Sequence, residues 1–182
     1  MRRHWGWLGP AVLALLILGV GIADVQAQQV PAAVSRAGRF VFGAGLGLMA
    51  GTVDDEGFAL GASADYYMTN ELSVGPLLQM GFTSDLFNLG LSGQVKYTMD
   101  VRQIPALKPH LEAGIGFVYA DFENGGDDDD VSFLIPLGFG LEYRLSRTLS
   151  LDTTLYLNFT DLDVGRRNDN FFLTWLVGVR FP

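Results

Sequence analysis

Along most of the chain apolar and polar residues alternate one for one, the period of a strand with two unlike faces rather than of a helix. Residues 87–99 (FNLGLSGQVKYTM) put Phe87, Leu89, Leu91, Gly93, Val95, Tyr97 and Met99 on one face. Asn88, Gly90, Ser92, Gln94, Lys96 and Thr98 fall on the other. Residues 149–160 and 171–181 repeat the pattern, with Leu149, Leu151, Leu155, Leu157 and Phe159, then Phe171, Leu173, Trp175, Val177, Val179 and Phe181, on the apolar side. Five more strands are predicted at about 40–51, 57–67, 71–82, 109–121 and 131–145. Eight strands over residues 28–182 leave about 19 residues for each strand and its connector, the spacing of a small up-and-down barrel.

Alternation alone also suits a soluble barrel with its apolar face inward. The second face decides against it. A solvated strand face is built of Thr, Lys and Glu, whereas this one carries Gly43, Gly45, Gly47, Gly61, Gly75, Gly81, Gly90, Gly114, Gly116, Gly138, Gly140 and Gly178. Glycine in strands marks close approach, and eight strands enclose an interior only just wide enough for side chains. The glycine and polar face is therefore predicted to line the lumen, and the apolar face to meet lipid.

An even-stranded barrel of this kind starts and ends in the periplasm. Its outer connectors are then predicted at residues 52–56, 83–85, 122–130 and 161–170, and its inner ones at 68–70, 100–108 and 146–148. Outward aromatics fall into two bands, as interfacial girdles do. Phe40, Tyr66, Tyr97, Tyr143 and Phe181 form the inner band, Phe58, Phe82, Phe87, Phe117, Tyr119, Phe133, Phe159 and Phe171 the outer, and Trp175 intrudes between them. All four descending strands end apolar, charged, aromatic: Ala64-Asp65-Tyr66, Val95-Lys96-Tyr97, Leu141-Glu142-Tyr143 and Val179-Arg180-Phe181. The middle residue points into the lumen, so the signs alternate around the barrel. Glu112 and Asp152 on ascending strands are expected near Lys96 and Arg180. A charge in so narrow an interior must be paired, which predicts an ion-pair plug of Asp65, Lys96, Glu112, Glu142, Asp152 and Arg180 in the inner half, bordered by His110 and Arg144.

The first residues follow a different rule. A basic start (Arg2, Arg3), an apolar run at 11–23 and Val25-Gln26-Ala27 read as a cleavable secretory signal peptide, residues 1–27. Residues 28–39 form a short polar lead, and residues 40–182 the barrel domain. Losing Arg2, Arg3 and Asp24 takes the net charge from −8 to −9, a charge that repels phosphate backbones and argues against nucleic acid as a partner. The absence of Cys removes thiol catalysis and thiolate metal sites.

The signal peptide, the alternating strands, the tyrosine-ended hairpins and the aromatic last strand (TWLVGVRF) resemble the small outer-membrane barrels typified by outer-membrane proteins A, X and W. The resemblance covers residues 40–182 and is specific for architecture rather than activity. It implies an all-β, eight-stranded antiparallel transmembrane barrel, exported through the Sec pathway to the bacterial outer membrane and expected there as a monomer among outer-membrane lipid and lipopolysaccharide. It also implies that Phe181, followed here by Pro182, is read by the outer-membrane assembly machinery. No cell-wall tether is implied.

Motifs for chemistry are weak, and no cofactor is expected. Gly45-Leu46-Gly47-Leu48-Met49-Ala50 lies within a strand and opens no helix, which discounts a dinucleotide fingerprint. Family members that act on lipid A use serine and histidine near the outer leaflet, whereas His110 sits at the inner rim, so an enzyme is not expected. Asp127, Asp128, Asp129 and Asp130, with Asp121 and Glu123, offer carboxylates for Ca²⁺ or Mg²⁺. They lack the alternate-ligand and glycine pattern of a calcium loop, and a solvated loop is the competing reading. Arg166 and Arg167 either contact lipid phosphates or offset that acidic loop. Two functions stay open: a structural or surface-interaction barrel, and a narrow channel or carrier for small solutes. The second draws on the apolar lumen positions Met49, Val118, Leu134, Pro136, Phe172 and Leu176.

Overall fold

Lipid offers no hydrogen bonds, so strands that cross it must pair on both edges and close on themselves. The computed structural model does this, and describes residues 35–52, 55–122, 128–164 and 167–182. The predicted signal peptide, Asp127 and Arg166 lie outside the described residues. The strands are β1 (Phe40–Thr52), β2 (Asp55–Tyr67), β3 (Leu72–Phe82), β4 (Leu86–Thr98), β5 (Leu107–Phe122), β6 (Asp128–Arg144), β7 (Ser150–Val164) and β8 (Arg167–Phe181). Each pairs antiparallel with its neighbours in chain order, and β1 closes on β8 through pairs such as Gly45↔Gly178.

Burial alternates along the strands as the sequence predicts. On β4, Asn88, Ser92, Gln94, Lys96 and Thr98 are buried while Leu91, Val95 and Tyr97 are exposed. The exposed face is the apolar one, which inverts the usual rule for water-soluble proteins and suits lipid as the solvent. Aromatic pairs at the rims include Phe40 with Tyr66, Phe82 with Phe87, and Phe159 with Phe171. Phe42 joins the inner group by packing on Phe181. Trp175 stays outward, and its indole N–H donates to Thr153 Oγ1 at 2.9 Å, which satisfies two outward polar groups that lipid would leave unpaired.

Two prolines interrupt the ladder. The pairs that would join Ala64 to Pro76 and Gly114 to Pro136 are missing from otherwise constant registers, because proline has no N–H to donate. At the top of β1 the register shifts between Met49 and Thr52, and Gly51 there has φ +85°. This is the left-handed conformation that a bulge of this kind assigns to glycine.

The outer connectors differ from expectation. Residues 122–130 and 161–170 were predicted as loops, yet Phe122 pairs with Asp128 and Val164 with Arg167. The acidic residues Asp128, Asp129 and Asp130 therefore begin β6 rather than lie in a loop. Strand pairing continues because it needs only backbone, and above the bilayer water solvates charge on both faces of a hairpin. The β6–β7 ladder starts at Ile135↔Phe159, and beyond that level backbone pairing gives way to a side-chain contact, Asp161 N donating to Ser132 Oγ at 3.2 Å. Asp129 and Asp161 are exposed there, and charge on a strand edge without a backbone ladder discourages pairing with another chain.

Candidate functional site

The lumen is filled from its inner end by charged side chains on inward positions of β2, β4, β5, β6 and β8. Lys96 Nζ lies 3.4 Å from Asp65 Oδ2 and 3.3 Å from Glu112 Oε2. Asp65 Oδ2 also accepts from Arg180 Nη2, and Arg180 Nε lies 3.8 Å from Glu142 Oε2. Asp65, Lys96, Glu112, Glu142 and Arg180 are all buried, and Asp65 is the shared member. The opposite charges are thus in one continuous chain across the barrel, Glu112 to Lys96 to Asp65 to Arg180 to Glu142.

Glycines make room for this crowd. A Cβ on Gly138 would stand 2.5 Å from Glu112 Cγ and 2.9 Å from Tyr156 Cε1. A Cβ on Gly140 would stand 2.7 Å from His110 Nε2 and 2.7 Å from Thr154 Oγ1. Two empty positions on β6 therefore admit side chains from β5 and β7. Gly138→Val is expected to displace Glu112 and Tyr156 together and to lower stability by about 1–3 kcal/mol, the usual range for overpacking. Urea titration of the refolded protein in vesicles checks this, with Gly93→Val as the control, since nothing lies within 4 Å of that outward position.

Asp152 stands near Arg180, as expected, and the two line one small cavity, but they form no direct ion pair. Its Oδ1 accepts from Thr154 Oγ1 at 2.8 Å and its Oδ2 lies 3.9 Å from His110 Nε2. The cause is the register: Glu142 and Asp152 are direct cross-strand partners, and like charges opposite one another repel. Each carboxylate turns to a different partner. His110, buried, also lies 3.0 Å from Thr154 Oγ1 and 3.6 Å from Glu112 Oε1. Tyr156 Oη donates to Glu112 Oε1 at 3.0 Å, so one ring joins the charged layer to the apolar one.

Sequence reading missed a member of this network at the inner end. Arg36, in the polar lead, donates to Glu142 Oε1 through Nη2 and to Tyr67 Oη at 3.0 Å through Nη1, and its guanidinium lies 5.2 Å from the Tyr67 ring centroid. Burial works against the Arg36 charge, but the Glu142 carboxylate outweighs it and the pKa is raised above the ordinary arginine value. Asn70 Oδ1 holds the lead in place by accepting from Arg36 N at 2.9 Å and Ser35 Oγ at 3.0 Å. A lone arginine ahead of the first strand carries no periodic signal that it folds back.

Toward the outer end the lumen turns polar-neutral, then apolar. Gln79 Nε2 donates to Asn158 Oδ1 at 3.2 Å and Asn158 Nδ2 to Thr174 Oγ1 at 3.0 Å. Met49, Val118, Leu134, Phe172 and Leu176, with Leu77 and Leu86, form a buried cluster. The cavity among Met49, Asn88, Leu134 and Phe172 measures about 10 Å³, barely one water. These apolar residues fill space. Among the described residues no group of three or more His, Asp or Glu is placed to hold a metal ion. Asp121 and Asp129 are cross-strand partners, Asp130 Oδ1 accepts from Val131 N at 2.8 Å within β6, and the side chains of Asp128 and Arg167 lie outside what is described.

The same barrel occurs in solved structures. Neisserial surface protein A aligns with a TM-score of 0.64 and 19% identity, over 82% of this chain and 99% of that one. The N-terminal β-barrel domain of Pseudomonas aeruginosa OprF aligns with a TM-score of 0.61 and 13% identity, over 81% and 98%. Ail, the attachment invasion locus protein of Yersinia pestis, aligns with a TM-score of 0.55 and 14% identity, over 80% and 99%. At these identities the likeness is one of fold. No curated protein matches the sequence. The family model described as "Outer membrane protein beta-barrel domain" matches residues 12–181. With its closed eight-stranded wall, lipid-facing apolar surface and this match, the chain is a protein of the bacterial outer membrane and belongs to the outer membrane protein beta-barrel domain family.

Proposed function

We propose that this barrel is closed to solutes and serves at the outer membrane as a structural and surface-interaction protein, its acidic outer hairpins meeting lipopolysaccharide and the surroundings. The observation that carries the reading is the lumen chain from Glu112 through Lys96, Asp65, Arg180 and Glu142 to Arg36. Each of these ions has an opposite charge beside it, as a weakly hydrated interior requires. The side chains above, from Leu77 to Phe172, leave no room for an apolar solute where they meet. Passage would need the whole chain to rearrange.

Outside the lumen, Asp85, Asp121, Asp129 and Asp161 all stand at the outer end. Their field favours cationic partners, including the divalent ions that accompany lipopolysaccharide phosphates. Planar-bilayer recording of the refolded protein tests closure. The expected result is no steady current, with conductance appearing in Arg180→Ala, which removes the link between Asp65 and Glu142. A solute-dependent current in the unaltered protein would overturn the reading in favour of a narrow channel.

A further inference from the structure

Charge divides sharply between the two ends of this barrel. Arg36, Arg39, Arg102, Lys108, Arg144 and Arg147 stand at the inner end against only Glu71 and Asp100, and Lys108 and Asp100 pair with each other. Among the side chains described, the cations without an ion pair, Arg39, Arg102, Arg144 and Arg147, therefore stand on the periplasmic rim of a chain with net charge −8. Three of them converge. A cavity of about 60 Å³ is lined by Arg39, Arg144, Arg147, Ser146 and Thr148, with Arg36, Arg180 and Glu142 also in its wall.

The cationic surplus in this cavity is unspent. Glu142 is occupied by Arg36 and Arg180. The side chains of Arg39, Arg144 and Arg147 make no ion pair or hydrogen bond with any described residue, although Arg144 is half-buried. Arg180, 4% exposed, has its Nε 3.8 Å from Glu142 Oε2, beyond hydrogen-bond distance. An unmet guanidinium N–H in the wall of a cavity is a cost. Guanidinium groups present paired donors that match the oxygens of phosphate.

Size and surroundings narrow the ligand. One water needs about 10–15 Å³ by this kind of measure, so about 60 Å³ has room for a phosphate group. Leu149 and Phe181, on the lipid-facing side, form part of the same wall. The cavity thus opens where the apolar surface ends and headgroups begin. We propose that it is a phosphate-binding site of the periplasmic rim, in which Arg39, Arg144 and Arg147 hold either the headgroup phosphate of an anionic phospholipid or a free phosphate ion. The site does not depend on whether the lumen conducts.

The test uses the full chain refolded in a zwitterionic detergent, with phosphatidylglycerol retention read by native mass spectrometry and inorganic phosphate binding by calorimetry. One lipid or one phosphate per barrel is expected, with affinity falling at least tenfold in Arg144→Gln/Arg147→Gln. Arg102→Gln, an exposed change on another inner connector, should leave it unaltered. Retention of the lipid, displaced by added phosphate, assigns the headgroup; binding of phosphate without the lipid assigns the free ion, and both support the site. Heat-modified gel migration confirms folding, and the single exposed change Arg39→Gln supplies a second variant should the double one misfold. No saturable binding of either probe, or an equal loss in Arg102→Gln, overturns the proposal.

Discussion

Lys96→Met is expected to lower the stability of the folded barrel by about 3–5 kcal/mol, the range for breaking a buried ion pair by removing one member. Lys96 lies between two carboxylates, 3.4 Å from Asp65 and 3.3 Å from Glu112, and they do not suffer equally. Asp65 keeps Arg180 as a partner, while Glu112 is left with the Tyr156 hydroxyl and His110. Most of the penalty therefore falls on Glu112. Adding Glu112→Gln removes that stranded charge and should recover much of the loss. The coupling between the two changes is expected to exceed the roughly 0.5 kcal/mol seen for independent sites. Adding Asp65→Asn instead should recover less, because it deprives Arg180 in turn. Urea titrations in vesicles of the unaltered protein, Lys96→Met, Glu112→Gln and their double variant check the cycle, and strict additivity would mean that water, rather than Lys96, neutralises Glu112.

The parts of this architecture that depend on one strand at a time are legible in the sequence. Lipid on one side and a crowded lumen on the other impose a period of two on every strand, so Leu91 and Ser92, or Trp175 and Leu176, declare opposite faces without knowledge of their neighbours. The lumen charges announce themselves in the same way, since Asp65, Lys96, Glu142 and Arg180 occupy inward positions at equivalent strand ends. What fails is information carried between strands. Which lumen side chains touch depends on stagger around the barrel, and this gives Asp152 direct contacts with Thr154 and His110 in addition to its place near Arg180.

Two further differences have the same origin. The reach of the β5–β6 hairpin through Asp128 rests on cross-strand backbone bonds that an acidic run does not forbid, although its composition resembles a loop. The pairing of Arg36 with Glu142 depends on the lead folding back onto Asn70 and Tyr67, 34 and 31 residues away in the chain. Neither feature has a local signature. The periodic signal is strongest where the membrane enforces it, and it ends where water takes over.

Leu155→Arg places a charge where that enforcement is greatest. Leu155 sits between the inward residues Thr154 and Tyr156, and its cross-strand partners are Phe139 and Trp175, two outward side chains in the band between the rims. An arginine there meets hydrocarbon over most of its length, and the nearest outward polar group, Thr153 Oγ1, already accepts from Trp175. The expected cost is about 2–4 kcal/mol, the range for Arg at the bilayer midplane of an outer-membrane barrel. Leu145→Arg, on the exposed connector between β6 and β7, should cost about 0–1 kcal/mol, because a side chain near the interface reaches water. The comparison therefore measures depth rather than the mere presence of a charge. Folding into vesicles, followed by the shift in gel migration of the unheated protein, gives both values. A thicker bilayer should widen the gap between the two variants, since it carries position 155 farther from water while leaving position 145 outside. Equal costs at the two positions would place Leu155 away from lipid and require a different register for β7.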